Sequence, residues 1–593
     1  MHREPRKAEV SVAMRKVTVC GRMIRGVAAV CVGVMVLGGL SACSLTLGLP
    51  TDGPVQRLSQ VQREDHRVFI DPQGPTDDAT PGEIVRGFLA ALPAGPQTDG
   101  FKVARQFLTE AAAKSWKPET GVVVFHGEPD LRVSGADAAT ASGAGAGHAQ
   151  VDMSFSEVGS IDRDGVFATT GASQSVHKGL TLARIDGQWR IDRLPAGIMI
   201  EESDFQQVFR QVQLYQRSSS ADTLVPDTRW FGWKQWRTLA VRELLDGSAP
   251  WLGDAVHAAS NGKVKLAMDS VPSSGSQIDV RLSDAATLSS DDRAMLVRQI
   301  RLTLGDGNDD YDLRIIDSSG LDLSDADSHI TLGVEQPARH LYTLSNRSVV
   351  SIPSQNLIKL GEVENGKDAR SLAFTSRGGA VLDSSGTVQC FDRGVTPCGT
   401  LFDGRRARVI TAGTGREIWM ADSRGNIAID TVDGDDEHSL LHVPWLDGVS
   451  VNAMAVSPEG SRIVIAFDDA GDASSRVVMA GVRRDAENHV AGLSGAFTVL
   501  SRASGVNAVT FYNDTTVVYS TKGSLSGYQQ LAPGPESTQQ LPKNTVALAS
   551  AQIDQTLSLI ALDDSGNVRY ARGSLASAWR MLDLQTTAIS SGV

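Results

Sequence analysis

The sequence predicts a multidomain, β-rich fold: an α+β domain, an α/β domain and a C-terminal β-propeller of about five to seven blades. The first observation is the length of 593 residues, which is typical of a chain with about four domains. The second is the composition. Hydrophobic residues make up 41% and charged residues 21%, which is ordinary for a folded protein, and domains of this size bury their own cores without metals or many disulfides. The third is a change of pattern near residue 335, where helical periodicity gives way to short strands and frequent turns.

The amino-terminal segment has the pattern of an export signal. A basic stretch precedes 14 uncharged, mostly apolar residues at 26–39, and small residues follow, as in signal peptides. Leu40–Cys43 (LSAC) is similar to the bacterial lipobox, in which the cysteine thiol takes a diacylglyceryl group and cleavage leaves cysteine as the first residue. We therefore predict that residues 1–42 are a lipoprotein signal peptide and that Cys43 is lipidated at the extracytoplasmic face of the cell membrane. An uncleaved anchor helix is the alternative, because the uncharged run continues to Thr51 and is long enough to span a bilayer.

The charge of the chain bears on its partners. The formal net charge is −13, and the leader holds seven Lys/Arg and two Glu, so its removal takes the charge to −18. Polyanions repel such a chain, and nucleic-acid binding needs a basic face, so we expect no nucleic-acid partner. Residues 43–80 are rich in Pro, Asp, Gln and Thr and are predicted to be a lipidated tether.

Residues 81–200 are predicted to form the α+β domain. Ile84, Val85 and Phe88 fall on one helical face. Asp186-Gly187 separates two apolar runs and is a strong hairpin signal. Helices followed by an antiparallel sheet resemble the cone-shaped NTF2-like fold. Such a cone can hold a ligand, but it is often filled by side chains.

Residues 221–320 are predicted to form the α/β domain. Trp233–Asp246 is predicted to be a helix that ends at Gly247, a natural C-cap. Ser290 is predicted to cap a second helix. The predicted strands are Lys263–Asp269, Gln277–Ser283 and Asp312–Ile316.

Residues 335–585 are predicted to form the β-propeller because a turn motif recurs among short strands. Three segments share one Asp-and-Gly pattern, and their glycines, Gly386, Gly425 and Gly566, are 39 and 141 residues apart. The larger spacing is three steps of 47 residues, and strand-rich units with a period of about 40–50 are typical of propellers. Each blade buries a face only against its neighbours, so the ring must close.

Two residue sets are candidates for structural or interaction roles. Cys390 and Cys398 are eight residues apart and are predicted to form a disulfide outside the cell; two free, buried thiols are the alternative. Trp230, Trp233 and Trp236 recur every three residues. If exposed, they form a partner surface, because Trp is favoured at interface hot spots; the alternative is that they pack a helix against its own sheet.

Motifs of catalysis and metal binding are missing from the sequence. It contains no HExxH, no GxSxG and no P-loop pattern. His438 and His442 are four residues apart but are predicted to lie in strand and loop, where that spacing does not bind a metal. The acidic stretches 306–312 and 433–437 do not match the EF-hand calcium loop. We therefore predict no catalytic residues, no metal and no cofactor.

The whole pattern resembles the actinobacterial lipoprotein LpqB family, over nearly all of the chain after the leader. The lipobox is the specific feature, and the order of the domains is the best argument. The segments that carry the resemblance are Leu40–Cys43, Leu49–Gln56, the GerMN-like stretches Leu224–Arg229, Ala240–Gly247 and Leu288–Arg293, and the blade-like Ala455–Ile463.

The resemblance implies a function that composition and periodicity do not. It implies a non-enzymatic accessory protein that contacts the extracytoplasmic domain of MtrB, the sensor histidine kinase of the MtrA–MtrB two-component system. Modulation of the kinase would affect envelope homeostasis and cell division. The alternative is an envelope enzyme or a binding protein for a cell-wall polymer or small ligand, which a deep pocket with paired carboxylates or a convergent metal cluster would favour.

Overall fold

The structure is a computed structural model. It describes residues 71–135, 147–219, 223–258, 260, 262–274, 276–305, 312–330, 332, 339–353, 356–364, 366, 368–432, 439–468, 475–522 and 526–592. The predicted leader, Cys43, most of the tether and the acidic stretch 433–437 lie outside the described residues.

The α+β domain packs three helices against one five-stranded sheet of order β4-β3-β2-β1-β5, in which β5 is parallel to β1. Thr80 and Glu83 form a capping box that begins the first helix. Asp186 and Gly187 have φ of +51° and +82°, which confirms the predicted hairpin turn between β3 and β4. The elements are α1 (Pro81–Ala91), α2 (Glu110–Ser115), β1 (Gly121–Ser134), β2 (His148–Asp162), β3 (Phe167–Ile185), β4 (Gln188–Arg193), β5 (Ile198–Glu201) and α3 (Glu202–Val208).

The α/β domain has two small sheets and two helices. One sheet has the order β7-β6-β8, and the other pairs β11 with β12 in parallel. The cap of the second helix is Ser289, whose side chain accepts from the N–H of Asp292, so the predicted cap at Ser290 is wrong by one residue. The elements are β6 (Phe209–Ser218), β7 (Leu224–Gly232), α4 (Trp236–Asp246), β8 (Val256–His257), β9 (Lys265–Leu266), β10 (Ser273–Ser274), β11 (Gln277–Ser283), α5 (Ser290–Leu304) and β12 (Asp312–Asp317).

The propeller has six blades in the part of the chain that is described, within the predicted number. The strands are β13 (His340–Ser345), β14 (Ser348–Ile352), β15 (Ile358–Glu362), β16 (Ala369–Thr375), β17 (Gly378–Asp383), β18 (Val388–Asp392), β19 (Pro397–Leu401), β20 (Val409–Ala412), β21 (Glu417–Ala421), β22 (Ile427–Thr431), β23 (Ser439–Leu441), β24 (Ser450–Val456), β25 (Arg462–Asp468), β26 (Ser475–Arg484), β27 (Val490–Leu493), β28 (Thr498–Ala503), β29 (Val506–Phe511), β30 (Thr516–Thr521), β31 (Ser526–Leu531), β32 (Glu536–Gln540), β33 (Thr545–Ile553), β34 (Thr556–Asp563), β35 (Asn567–Arg572), β36 (Arg580–Gln585) and β37 (Ala588–Gly592).

The last strand closes the ring. The innermost strands, β37, β16, β20, β24, β29 and β33, contact one another in that cyclic order. β37 pairs antiparallel with β13, so the first blade takes its inner strand from the carboxyl end of the chain. The predicted end at residue 585 is therefore too early, because the closing strand Ala588–Gly592 lies beyond it.

The repeated turn motif has one geometry at all three positions. In each turn an aspartate side chain accepts the backbone N–H groups of the residues two and four positions later, and a glycine follows with positive φ, which favours a residue without a Cβ. The aspartates are Asp383, Asp422 and Asp563, and the glycines Gly386, Gly425 and Gly566 have φ of +85°, +84° and +84°. The internal similarity read from the sequence is thus a conformational repeat.

Candidate functional site at the domain junction

The three tryptophans do not form an exposed stripe. Trp230 and Trp236 are each 4% exposed, and Trp233 is half-buried. Their interpretation as a partner surface is therefore wrong for Trp230 and Trp236. The packing alternative describes Trp236, which lies on α4 in the core of the α/β domain, but not Trp230. Trp236 and Trp233 stack with Arg210, whose guanidinium carbon lies 4.2 Å and 5.1 Å from their ring centres, an arrangement that favours a cation over an aromatic face.

Trp230 instead joins three parts of the chain. It lies on β7 of the α/β domain, but its ring packs in the core of the α+β domain, 5.0 Å from the Phe205 ring. Its Nε1 donates to the carbonyl oxygen of Pro533 in the propeller at 3.0 Å. Thr228, two residues earlier on the same strand, donates to the carbonyl oxygen of Ala532 at 2.7 Å. The strand β7 is therefore the centre of a domain junction.

A buried ion pair lies on the same strand. Arg229 Nε and Nη2 donate to the two carboxylate oxygens of Asp227 at 3.0 and 2.8 Å, and both side chains are almost fully buried. The Ala249 N–H donates to Asp227 Oδ2 at 2.9 Å, and Arg229 Nη1 donates to the carbonyl oxygen of Asp164. Burial opposes the charge of Arg229, but the charge and hydrogen bonds of Asp227, together with the charges of Glu243 and Asp162, more than offset it, and the pKa of Arg229 is raised. The polar atoms of the pair are thus well satisfied by hydrogen bonds, which is the condition under which a buried pair is tolerated.

An acidic side chain borders this pair. Glu243 on α4 places a carboxylate oxygen 3.8 Å from Arg229 Nη1. Loss of solvation raises the pKa of Glu243 to about 7, against the opposing effect of Arg229 and with a further rise from Asp164 and Asp246. Burial also raises the pKa of Asp162, in the turn that faces Arg229. The junction therefore contains a carboxyl group that titrates near neutral pH.

The other side of the junction is a close approach to the fourth blade. The Gly481 N–H donates to the carbonyl oxygen of Trp251 at 2.8 Å, and Ser494 Oγ donates to the same oxygen at 2.6 Å. Trp251 and Leu252 share a buried apolar cluster with blade residues such as Val464. The α/β domain and the propeller therefore share a core.

Cys390 and Cys398 form a disulfide, with their Cα atoms 5.2 Å apart. Cys390 is on β18 and Cys398 on β19, the outer pair of strands of the second blade. The bond therefore ties an outer edge of the propeller and is remote in sequence from the junction.

The described part of the chain shows no metal-binding arrangement. No group of three or more His, Cys, Asp or Glu side chains that could hold a metal is present among the described residues. His442 is described and His438 is not. A search of the same residues for a helix long and apolar enough to cross a bilayer finds none. The contacts of the junction hold the domains together.

Sequence reasoning missed the Asp227–Arg229 pair. The segment Leu224–Arg229 was interpreted only as part of a resemblance to a known family. Aspartate and arginine two residues apart nevertheless lie on the same face of a strand. Apolar residues precede this aspartate and arginine in the sequence, and aromatic residues follow them. That pattern is the feature of the sequence that indicates a buried pair.

Two models of known protein domains match this chain, one near each end of the folded part. The family model described as Lipoprotein LpqB, N-terminal domain matches residues 74–206, and the one described as Lipoprotein LpqB beta-propeller domain matches residues 366–588. The chain is 39% identical to a protein named Lipoprotein LpqB from Bifidobacterium longum (strain NCC 2705), over 96% of this chain and 99% of that one.

More distant relatives carry the same name. The chain is 25% identical to Lipoprotein LpqB of Streptomyces avermitilis, over 91% of this chain and 95% of the relative. It is 26% identical to that of Streptomyces coelicolor, over 91% and 94%. Among solved structures, a chain in the crystal structure of the mitotic checkpoint complex aligns with a TM-score of 0.27 and 13% identity, over 41% of this chain and 74% of that chain.

Proposed function

Because the chain belongs to the LpqB family of lipoproteins, we propose that lipid on Cys43 holds it at the extracytoplasmic face of the cell membrane, where it binds and modulates an MtrB-like sensor histidine kinase. In this proposal the protein is an accessory of a two-component system and not an enzyme. Its action on the kinase affects envelope homeostasis and cell division.

The observation that carries the proposal is the likeness over 96% of the chain to a protein named as a lipoprotein, together with the LSAC sequence at Leu40–Cys43. One acyl chain binds a membrane only marginally, whereas two or more bind it stably. An anchored protein meets membrane partners at a high effective concentration, so weak contacts suffice.

The domain junction supports an accessory role for the whole chain. Trp230, the Asp227–Arg229 pair and the Trp251 contacts join the three domains through buried groups. A rigidly joined set of domains offers a partner surfaces in a fixed relative orientation, which lowers the ordering cost of binding. Removal of a whole domain would expose this shared core, so point variants test the function better than truncations.

The first experiment tests the anchor. The protein purified from membranes should begin at Cys43 and carry acyl groups, as measured by intact mass. A chain that begins upstream of residue 43, or lacks acyl groups there, contradicts the anchor.

The second experiment tests the partner. Chemical crosslinking in intact membranes, followed by mass spectrometry, should recover crosslinks between this chain and the extracytoplasmic domain of a sensor kinase. A Cys43→Ser variant is the matched control, and we expect its crosslinks to fall at least tenfold because the effective concentration is lost. Recovery of crosslinks to other membrane neighbours but to no sensor kinase would count against the proposal.

A further inference from the structure

The propeller has a cavity along its centre. The inner strands of the blades surround a space of about 500 Å³, within the range of roughly 300–1,000 Å³ that is usual for small-molecule sites. The cavity lies within one domain, away from the junction that the proposed function uses.

The charge of the cavity is opposite to that of the chain. Three arginines line it, Arg339, Arg370 and Arg408, and no Asp or Glu is among the described residues that line it. The chain as a whole has a net charge of −13. A cleft lined by one sign of charge and walled by low-dielectric protein concentrates counter-ions, so this cavity selects anions.

Two of the arginines lie at the same mouth. Arg370 is at the irregular position near the start of β16, and Arg408 directly precedes β20 on the neighbouring blade. Asn452 and Asn507 occupy the corresponding irregular positions of β24 and β29. The mouth therefore carries polar side chains from four consecutive blades, with two guanidinium groups on adjacent blades.

Neither guanidinium group forms an ion pair with a carboxylate in the described part of the chain, although Asp468 lies near enough to Arg408 for the two charges to interact. Arg408 donates from Nε to the carbonyl oxygen of Val451 at 2.9 Å and from Nη2 to Asn452 Oδ1 at 3.0 Å, both uncharged acceptors. Arg370 has no hydrogen bond or ion pair with a described residue. The nearby carboxylate of Asp468 accepts from Ser475 Oγ at 2.6 Å and Asn452 Nδ2 at 2.7 Å.

The opposite end of the cavity, at Arg339, differs from this mouth because acidic residues lie near its arginine. Burial lowers the pKa of Arg339 to about 10, and the opposing influence of Glu459 and Asp514 keeps it from falling further. Arg339 is thus charged at neutral pH but has acidic neighbours behind it. The mouth differs in Arg370, which forms no ion pair or hydrogen bond with a described residue.

Apolar side chains form part of the walls between the two ends, beside serine and threonine residues. Leu372, Met454 and Val509 line the cavity from three inner strands. We propose that this cavity binds a small organic anion, whose apolar body lies against these walls and whose carboxylate or phosphate group is held by Arg370 and Arg408. Arginine suits both groups because its planar guanidinium matches their oxygens.

Saturation-transfer NMR and thermal shift on the purified full-length chain test this site with three probes of similar size. Benzoate and phenyl phosphate carry the two anionic groups, and benzyl alcohol is the neutral control. We expect both anions to bind at millimolar or lower concentration and benzyl alcohol to bind at least tenfold more weakly. The stronger of the two anions identifies the preferred group. Equal binding of the neutral probe, or no binding of either anion, overturns the proposal.

Variants locate the binding. Arg370→Gln with Arg408→Gln should weaken binding of the anions at least tenfold, and Arg370→Gln alone, which removes no described contact, should weaken it severalfold. Arg580→Gln is the matched control, because Arg580 is exposed on the outermost strand of the sixth blade. Undiminished binding in Arg370→Gln and in the double variant, or an equal loss in the Arg580 control, overturns the proposal.

Discussion

Trp230 donates its indole N–H to the carbonyl oxygen of Pro533, which is 3.0 Å away in space and 303 residues further along the chain. The same ring packs against Phe167 and Phe205 in the α+β domain. One residue of the middle domain therefore contributes to the core of the first domain and to a hydrogen bond with the third. The stability of each domain is consequently linked to that of the others.

Trp230→Phe should lower the free energy of unfolding by about 1–3 kcal/mol, because it leaves a buried carbonyl without its donor and removes ring area. Thermal or chemical denaturation of the full chain measures this. Trp579→Phe is the control, since the Trp579 indole donates to the Gln540 carbonyl at 3.1 Å in an exposed setting. An equal loss in both variants would show that burial at the junction adds nothing.

Arg229→Met should be more damaging than most single substitutions, at about 3–5 kcal/mol, because it leaves the Asp227 carboxylate buried and unpaired. Lys359→Met is the control, because the Lys359–Glu362 pair is more than half exposed and surface pairs contribute about 0–1 kcal/mol. Denaturation curves compare the two. If adding Asp227→Leu to Arg229→Met restored no stability, the unpaired carboxylate would not be the cause.

Glu243→Gln should change how stability depends on pH. The pKa of Glu243 is about 7 in the folded chain, against 4.5 as the ordinary value, so protonation favours the folded state. This contribution is fully present below pH 4.5 and is lost as the pH rises through 7, with an upper size of about 3 kcal/mol.

The glutamine variant should therefore match the wild type near pH 4.5 and melt at a higher temperature than the wild type at pH 8. Glu110→Gln is a useful control, because Glu110 is exposed and pairs with Lys114 on α2. Parallel melting curves for wild type and Glu243→Gln from pH 4.5 to 8 would disprove the assignment.

Gly481→Ala should loosen the α/β domain from the propeller. A Cβ at Gly481 would lie 2.2 Å from the backbone carbonyl oxygen of Leu252, so one backbone segment must move. We expect a loss of about 1–3 kcal/mol and faster proteolysis of the connection between the domains. Gly495→Ala is the control because a Cβ there meets nothing within 4 Å. Equal protease resistance of the two variants would contradict the close contact.

Local signals in the sequence predicted local structure well. The Asp186-Gly187 hairpin and the strand Gln277–Ser283 occur as predicted, because turn chemistry and alternation act between neighbouring residues. The tryptophan spacing predicted that three rings could act together, but it could not show which surface they cover. For Trp230 that depends on Phe205 and Pro533, which belong to two other domains.

Boundaries were less predictable where a strand depends on its partner. The closing strand Ala588–Gly592 is short and half polar, so its own residues give a weak strand signal. Pairing with β13 makes it a strand. The arginines of the central cavity share this difficulty, since Arg370 and Arg408 are 38 positions apart and meet only because their strands are neighbours in the ring.

The pairing of β37 with β13 also constrains when the propeller can close during synthesis of the chain. The first blade lacks its inner strand until Ala588–Gly592 is available, so the ring of blades cannot close before the ribosome has synthesised this strand. A premature stop codon before Ala588 would keep the first blade open, with an unpaired sheet edge prone to aggregation.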